Sequence, residues 1–238
     1  MISFDISQWR AWSPGLQTPA DWHAWAQGAQ QSQCDGPPPD VSFLPAMQRR
    51  RLSHLARMAF AVGWPLAEGQ GALPLVFVSR HGETPRTFAM LSELAERQPL
   101  SPTQFSLSVH NAVIGLWSIM RGETSEMTAL AAEQDGFEQG MIEAAALLAE
   151  GAPAVLLIVT EELPPEAYRP WIDDVPFSYA LGLLLTPGQQ WRLTPGQTSE
   201  QHGTELPHAL SWLRASLTGQ DTITHTVKRR VWTWQRQP

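Results

Sequence analysis

The sequence predicts an α/β fold, and three observations carry that expectation. Strand-sized apolar runs alternate with helical patterns along the chain. Ala154-Val-Leu-Leu-Ile-Val-Thr160 is almost continuously aliphatic, as a strand buried on both faces of a parallel sheet requires. The helix expected from Gln134 to Glu150 carries Gly136, Gly140 and Ala144 at successive i+4 positions. This is a small-residue face against which another backbone can pack closely.

The elements follow in order. Residues 1–30 alternate apolar and polar, and a short helix then starts at Pro19, capped by Thr18. Residues 31–40 read as an exposed loop, with Cys34 as an inert surface thiol. Pro45 to Val62 reads as one amphipathic helix, with Leu52, Leu55, Ala56, Ala59 and Phe60 on its apolar face. A strand at Leu73–Ser79 and a helix from about Pro85 to Arg97 come next. Leu100-Ser-Pro-Thr103 opens a loop, and an apolar segment with Ser and Asn runs from Phe105 to Met120. After the Gln134–Glu150 helix, stopped by Gly151-Ala-Pro153, come the Ala154 strand and another over Phe177–Thr186. Pro187–Gly203, rich in Gly, Pro, Gln and Thr, reads as an excursion from the core. A helix at Leu206–Leu217 and a strand at Thr222–Trp234 end the chain.

Composition narrows the function. The 238 residues are 43% hydrophobic and 16% charged, which fits a single domain. A net charge of −7 argues against nucleic acid as the main partner, because no basic face dominates that balance. One cysteine excludes an internal disulfide and any cysteine-based metal cluster. The first residues lack the basic and apolar regions of a signal peptide, and no apolar run reaches bilayer length, so a cytoplasmic protein is expected. The eleven tryptophans read as core packing, with a flat partner-binding surface as the sharper alternative.

The strand at Leu73 delivers Ser79-Arg-His-Gly-Glu83, and an Arg-His-Gly at a strand end also marks the histidine phosphatases. That chemistry needs a nucleophilic His81, a second histidine and a further arginine. The candidate second histidine, His202, follows a loop-like stretch, and the plainer reading of the motif is a strand-to-helix turn.

The central stretch carries another resemblance. "LSPTQFSLSVHNAVIGLWSI" (100–119) followed by "TALAAEQDGFEQGMIEAAALLAEGAPAVLLIVTEELP" (128–164) resembles the N-terminal half of a β-ketoacyl synthase in order and spacing. With Ser79-Arg-His-Gly-Glu83 and Ser106-Leu-Ser-Val-His-Asn111, the pattern looks most like the chain length factor subunits of aryl polyene type II polyketide systems. The resemblance covers about residues 45–186, with extensions on both sides. It implies a thiolase-like half domain with a mixed five-stranded sheet covered by helices.

Counting back from Gly151, the family's nucleophilic cysteine position falls on Gln134. An amide donates and accepts hydrogen bonds but is no nucleophile. The family's two catalytic histidines come from a C-terminal half for which His202, His208 and His225 offer no matching loop. The resemblance therefore implies no catalytic residue, no cofactor and no metal, and a subunit inactive on its own. It implies a ketosynthase partner in a heterodimer and an acyl chain carried by acyl carrier protein. Phe105, Ser106, Ser108, His110, Asn111, Val113 and Gly115 are expected at the partner interface. A half domain is also expected to leave the outer face of its sheet-covering helices exposed. The alternative is a stand-alone enzyme, either a minimal acyltransferase or condensing enzyme, or a phosphatase using His81.

Overall fold

A computed structural model describes residues 1–33, 36–199 and 206–237. Cys34 and His202 lie outside these residues. Among the described residues, seven strands form one sheet in the order β3 (Met127–Leu130), β2 (Leu75–Val78), β4 (Val155–Glu161), β5 (Tyr179–Gln197), β7 (Arg230–Arg236) and β6 (Thr222–Val227), and β1 (Ile2–Trp12) also pairs with β5. The core of the order is β2 (Leu75–Val78), parallel to both β3 (Met127–Leu130) and β4 (Val155–Glu161). The expected five strands are thus exceeded, because both chain ends contribute to the sheet.

β2 and β4 are buried along their whole length and alternate between two cores. Val76, Val78, Val155, Leu157 and Val159 face one side, which α1 (Pro19–Ala26), α7 (Gly136–Ala149) and α8 (His208–Leu217) cover. Leu75, Phe77, Leu156 and Ile158 face the other, covered by α3 (His54–Ala67) and α6 (Ala112–Arg121). A strand with period-two side chains and two covered faces has no polar face, so its sequence reads as continuous aliphatics. Of the tryptophans, all but Trp9, Trp64 and Trp171 are buried.

Local chemistry sets several boundaries. Thr18 Oγ accepts the Asp21 N–H, and the Asp21 carboxylate returns the bond to the Thr18 N–H at 2.8 Å, a reciprocal cap that starts α1. The expected Pro45–Val62 helix is two helices, α2 (Ala46–Arg49) and α3. Ser53 interrupts them by capping α3 through the Ala56 N–H. Ser101 likewise starts a short helix, α5 (Pro102–Ser106), where a loop was expected; α4 (Thr84–Ala95) precedes it.

The largest departure is β5, which runs from Tyr179 to Gln197 through the stretch expected to be an excursion. Its first half pairs with β4 and its second half with β7 (Arg230–Arg236), while β1 (Ile2–Trp12) pairs with both. Proline and glycine are tolerated because the β1 register jumps from Phe4↔Trp191 to Asp5↔Thr186, which leaves residues 187–190 as an irregularity. The expected final strand is a hairpin of β6 (Thr222–Val227) and β7, turned through Lys228 at φ 54°.

α8 and this hairpin fold over α7. Phe137 on α7 stacks on Trp234 of β7 with ring centroids 5.0 Å apart and also meets Trp212 of α8. The start of α7, around Phe137 and Glu138, is therefore covered by the chain's own C-terminal elements, whereas Ile142, Ala146 and Ala149 further along the helix are exposed.

Candidate functional site

β2 and β4 end side by side, so Ser79 and Glu161 emerge together at the head of the parallel strands. The buried Glu161 carboxylate accepts the Ser79 hydroxyl at 3.1 Å, the His81 N–H at 3.2 Å and the Arg80 N–H. Burial pushes its carboxyl up to about 7, against the pull of those donors and of His81. Ser79 Oγ in turn accepts the Gly82 N–H at 2.9 Å. Gly82 has φ 54°, and a Cβ there would sit 3.1 Å from the His110 ring. The left-handed φ and the close imidazole both favour glycine there.

The remaining motif groups are committed as well. His81 Nε2 and Arg80 Nη1 bond the two oxygens of Asp174, at 2.8 and 2.7 Å. Glu83 accepts Ser53 Oγ at 2.5 Å and pairs with Arg86 at 3.2 Å. The Ser-Arg-His-Gly-Glu stretch thus knots β2 to β4 and α3, and His81 is held by a carboxylate rather than free to attack phosphorus.

A second knot lies under the C-terminal cap. Glu138, on α7 and fully buried, accepts His208 Nδ1 at 2.8 Å, His225 Nδ1 at 2.6 Å and Trp234 Nε1 at 3.1 Å. The two imidazoles stack with centroids 4.2 Å apart. Burial opposes the charge on Glu138, yet the two histidines outweigh it and hold the carboxyl down at about 2. Burial pushes His225 down, and its Nε2 has no partner among the described residues.

Glu138, His208 and His225 cluster closely enough to suggest metal ligation, with ligand atoms within 4.8 Å of one another. Nδ1–O separations of 2.6 and 2.8 Å are hydrogen-bond spacings that leave no room for an ion between the atoms. The group is a hydrogen-bonded hub.

Between the two knots lies a cavity of about 190 Å³. Val78, Val159, Phe137 and Tyr179 form its apolar walls, and Arg80, Glu161 and Asp174 reach it from the strand heads. His208 reaches it from the cap, with Nδ1 already taken by Glu138. Gln134 sits in the turn just before α7 and also lines it. Gln134 is exposed, and its side chain makes no hydrogen bond among the described residues, so it does not cap α7. Asp135 holds the N-cap place, but its carboxylate goes to Arg230 and Trp232. Among the described residues, no cysteine or serine lines the cavity, so they offer no thiol there.

The small-residue face of α7 packs on the sheet. A Cβ at Gly140 would fall 2.6 Å from Val78 Cγ2 and 2.9 Å from Leu157 Cδ1, and one at Gly136 3.2 Å from Val78 Cγ1. Ala144 follows on the same face, fully buried. Among the residues expected at a partner interface, Phe105, Ser106, Asn111 and Gly115 are exposed, and Ser108 is half-buried. His110 donates through Nε2 to the Ser79 carbonyl at 2.7 Å, inside the first knot. Val113 is 2% exposed and belongs to the chain's own core beside Phe60 and Trp117, so it is not a surface contact.

Sequence reasoning missed Glu138, His208 and His225 as a group. The available signal was a carboxylate inside the apolar stretch Gly136-Phe-Glu-Gln-Gly-Met141, because a buried charge needs partners.

The family profile of β-ketoacyl synthase N-terminal domains matches residues 22–235, and the chain belongs to that family. Among solved structures, a chain of the ketosynthase ApeO in complex with its chain length factor ApeC from Xenorhabdus doucetiae is 31% identical. It superposes with a TM-score of 0.88 over 99% of this chain and 100% of that one. A chain of the AntDE:AntF complex, a type II polyketide acyl carrier protein with its ketosynthase, aligns over 100% of both chains at 9% identity and TM-score 0.71. A chain of the ishigamide ketosynthase/chain length factor is 15% identical, with TM-score 0.64 over 82% of this chain and 67% of that one. The last two likenesses show the shared thiolase-like fold. Among curated proteins, no sequence matches.

Proposed function

We propose that this β-ketoacyl synthase family member is the non-catalytic, chain-length-factor-type subunit of a type II ketosynthase, acting in polyketide or fatty-acid-like synthesis of the aryl polyene kind. The observation that carries the reading is Gln134. The position that resemblance gives to the nucleophilic cysteine holds an amide at the rim of the cavity, and no described residue lining that cavity replaces the thiol. A thiolate there would gain from the N-terminus of α7, whereas an amide forms no acyl-enzyme.

The ketosynthase partner supplies the chemistry, and this chain shapes the space in which the carrier-bound acyl chain grows. Support for a partner comes from apolar side chains left in water on α4, α5 and α6. Leu91, Leu94, Phe105 and Ile119 are 51%, 56%, 64% and 72% exposed. Exposed apolar surface of this kind marks protein interfaces. The stand-alone phosphatase reading has no comparable support, since His81 and Arg80 are bound to Asp174.

Co-expression with the cognate ketosynthase tests the proposal. A stable complex is expected, with elongation of carrier-bound substrate measured by product mass. Ile119→Glu should abolish co-elution without unfolding the chain, because Ile119 lies outside the core. Condensing activity of this chain alone, or an unchanged complex in Ile119→Glu and Phe105→Glu alike, would sink the reading.

A further inference from the structure

Three observations meet at the outer edge of β1. This strand pairs with β5 and, among the described residues, with no other strand. A cleft of about 540 Å³ runs beside it, taking in six consecutive residues from Ser7 to Trp12. Trp22 and His23 of α1 close one side, and Val62 and Leu66 of α3 close the other. α1 belongs to the core on one face of the sheet and α3 to the core on the opposite face. A cleft bounded by both helices, and by strand residues that alternate faces, lies along the strand's free edge. Such an edge presents backbone N–H and C=O groups that another strand can bond, the Ala11 carbonyl excepted, which the Trp22 indole N–H already takes.

The second observation is Trp12. It lines the cleft at 5% exposure, and its indole N–H has no acceptor among the described residues. Buried donors are almost always paired, so an orphan marks a place where an acceptor is expected. Trp22, by contrast, gives its N–H to the Ala11 carbonyl.

The third is charge. Arg10 and His23 are the ionisable groups of the lining, and no carboxylate is among them, in a chain of net charge −7. A second copy docked edge to edge would bring two Arg10 side chains to one cleft. An acidic strand meets the opposite charge.

We propose that the free edge of β1 docks an extended, acidic segment of a different polypeptide. The segment adds a strand beside β1, sets alternate apolar side chains against the tryptophans and places a carbonyl on the Trp12 N–H. This surface is separate from α4–α6 and does not depend on the synthase reading.

The probe is a blocked synthetic octapeptide of alternating valine and glutamate, titrated into the full chain. Tryptophan fluorescence and amide hydrogen exchange are the readouts. Saturable binding is expected, with slowed exchange confined to Ser7–Trp12. The same peptide N-methylated at alternate residues should bind at least about tenfold more weakly, since it cannot complete the ladder. Arg10→Glu should weaken the unmodified peptide by a similar factor, with the fold intact because Arg10 is exposed. Equal binding of the N-methylated peptide would point to a non-strand ligand and overturn the proposal. So would no saturation up to about 1 mM, or concentration-dependent dimerisation that Arg10→Glu alters.

Discussion

Glu138 and Glu161 are the same side chain in comparable burial, and they titrate in opposite directions. Each accepts three hydrogen bonds. Glu138 receives them from two imidazoles and an indole, and is held down at about 2. Glu161 receives them from two backbone amides and a hydroxyl, and is pushed up to about 7. Donor number alone does not separate them. Imidazoles in direct contact can carry a positive charge, whereas amides and a hydroxyl cannot, so only the hub under the C-terminal cap repays the cost of burying a carboxylate. The cap is closed around a carboxylate held ionised by its hydrogen-bonded imidazoles, while the strand heads are closed around a group at the edge of neutrality.

The largest test removes the ionic hub. Glu138→Gln keeps the shape but leaves two buried imidazoles and an indole facing an amide. Breaking a buried pair from one side costs about 3–5 kcal/mol. Urea unfolding should register that loss, and α8 with the β6–β7 hairpin should show the fastest amide exchange. A loss below about 1 kcal/mol would mean that the aromatic stack of Phe137, Trp212 and Trp234 holds the cap without the carboxylate.

The pH dependence sharpens the contrast. Glu138 has a folded pKa below its ordinary 4.5, so its contribution is present above pH 4.5 and is lost as pH falls toward about 2. Glu161 has a raised folded pKa. Its contribution is full below pH 4.5 and is lost as pH rises through about 7. That loss is on the order of 3 kcal/mol. Glu162, also pushed up to about 7 by burial and by Glu83, adds to the same limb. His54 and His225, pushed down by burial, act the other way over this range in both proteins. The assignment is therefore read from the difference: between pH 4.5 and 8 the denaturant midpoint of the wild type should drop relative to that of Glu161→Gln. Parallel profiles for the two proteins would refute the assignment of that limb to Glu161.

How much of this was legible follows from where the signals lie. β4 could be read because seven consecutive residues are buried on both faces, and the capped start of α1 because Thr18-Pro-Ala-Asp21 is local. The second half of β5 could not. Pro187 and Gly188 signal a loop, and only pairing with strands from both chain ends makes it a strand. Gln134 emerged from the order of elements around it. The Glu138 hub did not, because its histidines lie 70 and 87 residues further on and only the folding of the cap brings them in.

A smaller effect separates the two faces of α7 from the surface of α6. Gly140→Ala places a methyl against Val78 and Leu157 in the core. Overpacking of about 1–3 kcal/mol exceeds the gain of about 1 kcal/mol that alanine brings to a helix. Net destabilisation is expected. Gly115→Ala meets open space on α6 and should stabilise the isolated chain by up to about 1 kcal/mol. If α6 docks on a ketosynthase, the same methyl should weaken the complex while raising the melting temperature of the chain alone.

The smallest effect belongs to Gln134, at the rim of the cavity between the two regions. An exposed side chain without hydrogen bonds should cost less than about 0.5 kcal/mol when truncated. Gln134→Ala is therefore expected to fold and assemble like the wild type, and a reconstituted system with partner and carrier protein should still elongate. Gln134→Cys should create no synthase, because His208 and His225 already give Nδ1 to Glu138 and Nε2 of His225 is buried. Alkylation can show whether α7 activates the new thiol: a reactivity with iodoacetamide above that of free cysteine is expected, with no condensation following from it. Complete loss of elongation in Gln134→Ala, with the complex intact, would give the amide a chemical role. The division into a structural cap, a structural strand head and an inert rim would then fail at its centre.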